Sequence, residues 1–371
     1  MKRTPAFLLL LAACSHSEPF TAPDDPLDGP FSPAAPVRLT YADGGPTAPI
    51  WMSGGDSILY SYTRRGGGFA VEQEGCLAIL PTGGGSIRRE ICSRSVFPVQ
   101  AGDFFDLPAL SAGGRLAFFH DGQPAAEGTA AEAILAAPFA TPSGYAVVRT
   151  FPFQGDVFYV GVTSIRWLDE SRIAFVGTAE ELFSPCPGCD PLLVRYDRAI
   201  LLADPAAPQA ATVVPGTLFA TSVSPGESPD VIYYTIANDS RIYRQNLSSG
   251  AVATVHDFGA PTIVRDVSWA DGRLVAIADG SVRLFELGIG VVQSQNPGGT
   301  IYVIDPGSGL AQAVATPQPM WFRRPALSPD GNSIVAEGAA LQIDQIGDGS
   351  GGILRVDTIP GPSAIWRLAA P

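Results

Sequence analysis

Cysteines, histidines, glycine clusters and a few closely spaced arginine and aspartate residues are the parts of this chain with spacings that could do chemistry. Cys76 and Cys92 bracket CLAILPTGGGSIRREIC, which reads as strand, Gly-rich turn and strand. A turn centred near Gly84 sets the two cysteines opposite each other, within reach of a disulfide if they form a non-hydrogen-bonded pair. Cys186-Pro187-Gly188-Cys189 has the spacing of a redox pair or of half a zinc site. No βαβ pattern surrounds it and no second CxxC supplies the remaining thiolates, so a small structural bridge between Cys186 and Cys189 is the expectation. His16, His120 and His256 share no ligand spacing; the first lies in a Pro-rich stretch, and the other two are expected in surface loops. No G-x-S-x-G elbow is present. Gly66 to Gly68 and Gly83 to Gly85 fall in hairpin turns rather than at helix starts, which argues against phosphate binding. Asp348-Gly349-Ser350-Gly351-Gly352 is short of carboxylates for a cation loop. The expectation is therefore no catalytic residue, no metal site and no cofactor.

The fifth cysteine stands apart. Lys2 and Arg3 precede the apolar run Ala6 to Leu11, and small residues lead to Cys14, the layout of an export signal. The run is too short for a bilayer, which takes about 20 residues. Leu11-Ala12-Ala13-Cys14 resembles the bacterial lipoprotein cleavage box, and this resemblance covers the N-terminal segment alone. It implies that residues 1–13 are a signal peptide and that Cys14 becomes the first mature residue, acylated on sulfur and amine. At roughly 0.8 kcal/mol per buried methylene, several chains make a durable anchor. Ser15 in place of Asp implies the periplasmic face of the outer membrane if the envelope is Gram-negative. Residues 14–36 are Pro-rich with small and acidic residues and no apolar periodicity, which reads as a tether spanning about 25 Å.

Composition narrows the partners. Net charge is −13, so nucleic acid phosphate and anionic headgroups are repelled and no nucleic-acid partner is expected. The chain has 41 Gly and 34 Pro, in keeping with many short strands joined by turns, and no long segment keeps a 3.6-residue period.

Residues 37–371 repeat themselves. PIWMSGGDSILYSY, PALSAGGRLAFF, SIRWLDESRIAFV, TSVSPGESPDVIYY, VSWADGRLVAI and PALSPDGNSIVA each run from an extended segment through a tight turn into an alternating apolar strand. Trp51, Leu110, Trp167, Val223, Trp269 and Leu327 are equivalent, at spacings of roughly 46 to 59 residues. Two further short strands follow in each copy; in the last they are Ile353 to Asp357 and Ala364 to Leu368. Four short strands per repeat make the blade of a propeller, so the expected fold is all-β, a β-propeller of six blades with four antiparallel strands each.

Leu327-Ser328-Pro329-Asp330-Gly331, with the shorter Trp269-Ala270-Asp271-Gly272, resembles the W-S-P-D-G turn of the TolB-like, WD-related propellers. Val37-Arg38-Leu39-Thr40 resembles the outer strand that ends a blade in that family, and it either closes the ring or adds a fifth strand. Propellers bind at the mouth of the central channel, just before each innermost strand. The repeat alignment puts Asp106, Arg265, Asp266, Arg323 and Arg324 there. Such a rim either grips a carboxylate or peptide terminus, since guanidinium pairs bidentately with such groups, or is a structural ring of ion pairs between blades. The three tryptophans at the shared position are expected in the wedges between blades. The function these features favour is a membrane-tethered, noncatalytic scaffold for a protein or envelope polymer. A channel-centred, metal-assisted lyase or hydrolase and a small-ligand or sugar receptor are the alternatives.

Overall fold

The computed structural model describes residues 36–371 apart from 42–43, 66–72, 97–103, 122–130, 153–156, 159–161, 178–179, 184–185, 187–191, 196–197, 209, 280–282, 288–290, 296–298, 317–319 and 348–352. Six antiparallel sheets stand around a central channel as a six-bladed β-propeller. From the channel outward, blade one is Thr47–Trp51, Ser57–Arg65, Gln73–Pro81 and Arg89–Cys92, and blade two is Phe104–Leu110, Arg115–Asp121, Ala131–Pro138 and Ala146–Pro152. Blade three is Ser164–Trp167, Ile173–Gly177, Ala199–Ala203 and Ala211–Val213; blade four is Ala220–Pro225, Val231–Ile236, Arg241–Asn246 and Val252–Asp257. Blade five is Ile263–Ala270, Arg273–Asp279, Thr300–Ile304 and Ala311–Ala313.

Blade six departs from the repeat. Its inner strands are Met320–Leu327 and Ser333–Gly347, but the third is Ala364–Ala369 and the fourth is Val37–Arg38 from the other end of the domain. Val37 faces Arg367, Arg38 faces Trp366, and the Leu39 amide donates to the Ile365 carbonyl at 2.8 Å. The N-terminal segment thus closes the ring as the outer strand of the last blade. Ile353–Pro360, expected as the third strand, pairs instead with the far half of Ser333–Gly347, from Leu341 opposite Pro360 to Gly347 opposite Ile353. Closure leaves the last blade no gap beside the first and covers an edge that would otherwise offer unpaired N–H and C=O groups.

Each interface between neighbouring blades holds its own apolar cluster, and six clusters complete the circle. The tryptophans fasten these wedges. Trp51 Nε1 donates to the Ala326 carbonyl of blade six at 2.8 Å, and Trp167 Nε1 to the Ala109 carbonyl of blade two at 3.2 Å. Trp269 stacks on Tyr233 of blade four, centroids 5.3 Å apart. In each case a blade is sealed against its predecessor by a large ring, and for Trp51 and Trp167 the indole N–H finds a partner, the condition for burying it.

The turns between first and second strands follow their residues. Asp271 and Gly272 have φ of 47° and 74°, as an Asp-Gly reversal between twisted strands demands. On the same face Arg172 reaches Asp230 of blade four at 3.0 Å, and Arg115 and Arg273 donate to the Glu170 and Gly331 carbonyls of the next blades. Cys76 and Cys92 are in register and disulfide-bonded, with Cα atoms 4.0 Å apart. A covalent link closing a loop of this size stabilises by about 3 kcal/mol.

Extra hairpins rise from three blades: Glu180–Phe183 with Leu192–Arg195, Arg283–Leu287 with Val291–Gln295, and the far half of Ser333–Gly347 with Ile353–Pro360. All three are inserted between second and third strands, at the end of the blade where the first strand begins. They therefore stand on the face that carries the predicted mouth. Blade four crosses there with only Ala237 to Ser240.

Candidate functional site

A regular strand sends alternate side chains to opposite faces, so two adjacent residues cannot both line a channel. Four blades break the alternation in the same way. Between Thr47 and Ile50, Asp106 and Ala109, Arg265 and Ser268, and Arg323 and Ala326, two residues of the innermost strand oppose one of its neighbour. The first residue of each bulge, Ala48, Leu107, Asp266 and Arg324, has φ between 49° and 57°. A side chain in that region costs roughly 1–2 kcal/mol. Pro49, Pro108 and Pro325 follow three of them; the ladder is already interrupted there, so the missing N–H does little harm. Bulges of this kind re-aim side chains next to functional sites. Here both Arg265 and Asp266, and both Arg323 and Arg324, border one cleft.

The five predicted mouth residues lie together, but they do not share one role. Arg324 donates from Nη1 to Thr47 Oγ1 and lies 3.7 Å from both Asp106 Oδ2 and Glu337 Oε2. Asp106 also accepts from Ser61 Oγ at 2.7 Å and from the Leu107 amide at 2.8 Å. Asp266 accepts from the Arg324 amide at 3.1 Å. Arg265 grips buried Asp279 from Nε at 2.6 Å and Nη2 at 3.1 Å, and reaches the Phe322 carbonyl of blade six at 3.4 Å. These contacts join blades five, six, one and two. Arg323 stands outside the ring: its guanidinium lies 5.5 Å from the centroid of the Trp321 ring, and it forms no ion pair among the described residues.

The cleft has a volume of about 340 Å³. Arg198, Arg265, Arg323 and Arg324 line it against one carboxylate, Asp266. Arg265 and Arg324 are paired with Asp279, Asp106 and Glu337, which leaves the Arg323 guanidinium without an ion pair among the described residues. Burial pushes the Glu337 carboxyl above its ordinary value, although Arg324, Arg323 and a hydrogen bond from Thr47 pull the other way. Below the cleft the channel narrows to about 20 Å³ between Asp266, Arg324 and Arg166, room for about one water.

Sequence reasoning missed Arg166, Glu337 and Asp279. Arg166 occupies the column filled elsewhere by Ile50, Ala109, Ser222, Ser268 and Ala326, and a lone arginine among small and apolar residues was a visible signal. Ser164 to Trp167 pair in unbroken register, and Arg166 lines the channel as Ile50 and Ser222 do at the same position of blades one and four. Glu337 and Asp279 lie on second strands, where the alignment of inner strands did not look.

The remaining candidates fall elsewhere. His120 is fully buried on the second strand of blade two opposite Phe105, and His256 lies on the outer strand of blade four with Nδ1 2.7 Å from the Gly309 carbonyl. Both are on strands rather than in the loops expected, because the alternating pattern continues through them. Cys186 is exposed; Cys14, Cys189, Gly66 to Gly68 and Asp348 to Gly352 lie outside the described residues. Among the described residues, Glu74, Cys76 and Cys92 come within metal-ligating distance of one another, but both sulfurs are committed to the disulfide. No helix among them is long and apolar enough to cross a membrane.

No protein-family model matches the chain, and no curated protein matches it. Among solved structures it is similar to TolB from Acinetobacter baumannii, with 11% identity, TM-score 0.47, 84% of this chain covered and 63% of that one. The chain thus spans 63% of the length of that TolB chain. It is also similar to a luciferin-regenerating enzyme, with 12% identity, TM-score 0.48 and coverage of 91% and 96%. A third similarity is to the Cps50 (Swd1) β-propeller domain of Myceliophteria thermophila, with 10% identity, TM-score 0.47 and coverage of 82% and 96%.

Proposed function

We propose that this protein is a noncatalytic binding scaffold, exported and held to the envelope membrane through acylated Cys14, whose channel mouth captures a carboxylate of a protein partner. The observation that carries the proposal is Arg323, a guanidinium lining the cleft without an ion-pair partner among the described residues. Asp106, Asp266, Asp279 and Glu337 are engaged by Arg265, Arg324 or Thr47, which commits Arg265 and Arg324 as well and leaves Arg323 for a ligand. Leu218 and Phe219 are 54% and 50% exposed on the approach to the first strand of blade four, and the Phe219 amide donates to the carbonyl of Arg198, a lining residue. An arginine beside an exposed aromatic is the composition of an interface hot spot.

Fluorescence anisotropy tests the proposal with a labelled acidic peptide in two forms, one with a free C-terminal carboxylate and one amidated. The free acid is expected to bind the mature protein at least about tenfold more tightly than the amide, since a charge-assisted hydrogen bond contributes about 1.5–3 kcal/mol. Arg323→Glu removes that preference. Equal binding of the two peptides, or an unchanged preference in the variant, counts against it.

A further inference from the structure

The opposite end of the channel differs in chemistry. Where the innermost strands finish, a vestibule of about 280 Å³ opens among Trp51, Leu110, Trp167, Trp269 and Leu327, and Arg166 is the one charged residue lining it among the described residues. That volume is at the small end of the roughly 300–1,000 Å³ of small-molecule sites, which are mostly apolar with a few placed polar groups. Arg166 belongs both to this vestibule and to the constriction above it, so its side chain forms the floor of the one and a wall of the other.

Arg166 differs from Arg265 and Arg324, which are held in ion pairs. Its single hydrogen bond, at 2.8 Å, goes from Nη1 to the carbonyl of Ile165, and it makes no ion pair among the described residues. Burial holds the guanidinium down to about 10, with Asp266 opposing the shift and Arg324 adding to it, so it remains a cation at neutral pH. A part-buried cation with four N–H donors turned away from protein acceptors is a ready partner for an anion. Asp266 acts on Arg166 only through space, its carboxylate being hydrogen-bonded to the Arg324 amide. A planar fork facing a cavity walled by indole and leucine matches a planar anion carried on an apolar body.

We infer that the vestibule is a binding site for a small monocarboxylate with an aromatic or branched apolar body, the carboxylate seated on Arg166 and the body against Trp51, Trp167 and Trp269. This site lies at the other end of the channel from the peptide-binding mouth and does not depend on it. The carboxylate, a monoanion, meets one guanidinium, while a dianionic phosphate would leave a charge unmatched beside apolar walls.

Tryptophan fluorescence of the mature protein, titrated with 3-phenylpropionate, 3-phenylpropionamide and acetate, decides the matter. The aryl acid is expected to give a saturable change, with the amide and acetate each at least about tenfold weaker. Arg166→Gln brings the acid down to the level of the amide, and Ala270→Phe, which fills the vestibule without altering its charge, removes both. Arg323→Gln leaves the titration unchanged, which separates this site from the mouth. Acid and amide binding alike, no saturable binding, or loss of binding in Arg323→Gln but not in Arg166→Gln overturns the inference. The acid-to-amide comparison needs no variant, so a poorly folding Arg166→Gln does not weaken the test.

Discussion

Arg324 of blade six lies 3.7 Å from Asp106 of blade two, spanning the whole of blade one across the channel mouth. The same guanidinium is 3.7 Å from Glu337 and donates to Thr47, so one side chain ties three blades at their closest approach to the axis. The ion-pair ring and the anion-binding mouth, which stand as alternatives on sequence alone, here divide the residues: Arg265, Asp266, Arg324 and Asp106 have structural partners, and Arg323 is available to a ligand.

That division sets two adjacent stretches of mouth apart in stability. Arg265→Ala removes both guanidinium hydrogen bonds to the carboxylate of Asp279, itself only 1% exposed, and is expected to cost about 3–5 kcal/mol. Arg323→Ala is expected to lie within about 0.5 kcal/mol of wild type. Urea unfolding of the two variants measures the difference, and equal losses would place Arg323 in the ring after all.

Ring closure makes Leu39 a sensitive point. It is 3% exposed in the wedge between blades six and one, and its amide holds the closing strand to Ile365. Leu39→Ala is expected to cost about 2–5 kcal/mol, and Leu39→Pro more, because it also removes the amide. Thermal unfolding gives the order; a proline variant as stable as wild type would mean that Val37–Arg38 does not close the ring.

Acid should loosen the turns before the wedges. Partial burial pushes the Asp169 carboxyl up, but hydrogen bonds from Ser171 and Arg172 outweigh it and hold the group down at about 2, against an ordinary 3.8. A carboxyl depressed on folding stabilises above its unfolded value and loses that contribution as pH falls through the folded one. The difference in melting temperature between wild type and Asp169→Ala is therefore expected to be full above about pH 5 and to vanish toward pH 2. Asp239, held low by Arg241, and Asp330, held low by Ser328, shift in the same direction. A difference that grows on acidification would reverse the assignment.

The proposed anchor has its own assay. In a bacterial host, metabolic labelling with a palmitate analogue is expected to tag the wild-type chain and not Cys14→Ala, with the variant moving to the soluble fraction. Label retained by the variant would locate acylation elsewhere or exclude it.

Much of this architecture was legible in the residues. Turn chemistry and apolar alternation are local, and they placed six inner hairpins, the wedge position of Trp51, Trp167 and Trp269, and the register of Cys76 against Cys92. Channel-mouth positions followed because repeats place equivalent residues equivalently. What escaped were departures from repetition: an arginine at position 166 where the other blades carry small or apolar residues, and Ile353–Pro360, which leaves the last blade to form an extra hairpin; closure by Val37–Arg38 was one of two readings the residues left open.

The amino-acid pattern by itself determined the blade, since a hairpin's turn and alternation are written within a few tens of residues. Tertiary structure alone decided which charges meet. Thr47 donates to Glu337 at 2.9 Å from 290 residues away, an encounter that exists only when the ring closes. Bulges set where each side chain points, and the sum of six such choices around one axis determines whether an arginine holds a neighbouring blade or faces an open channel.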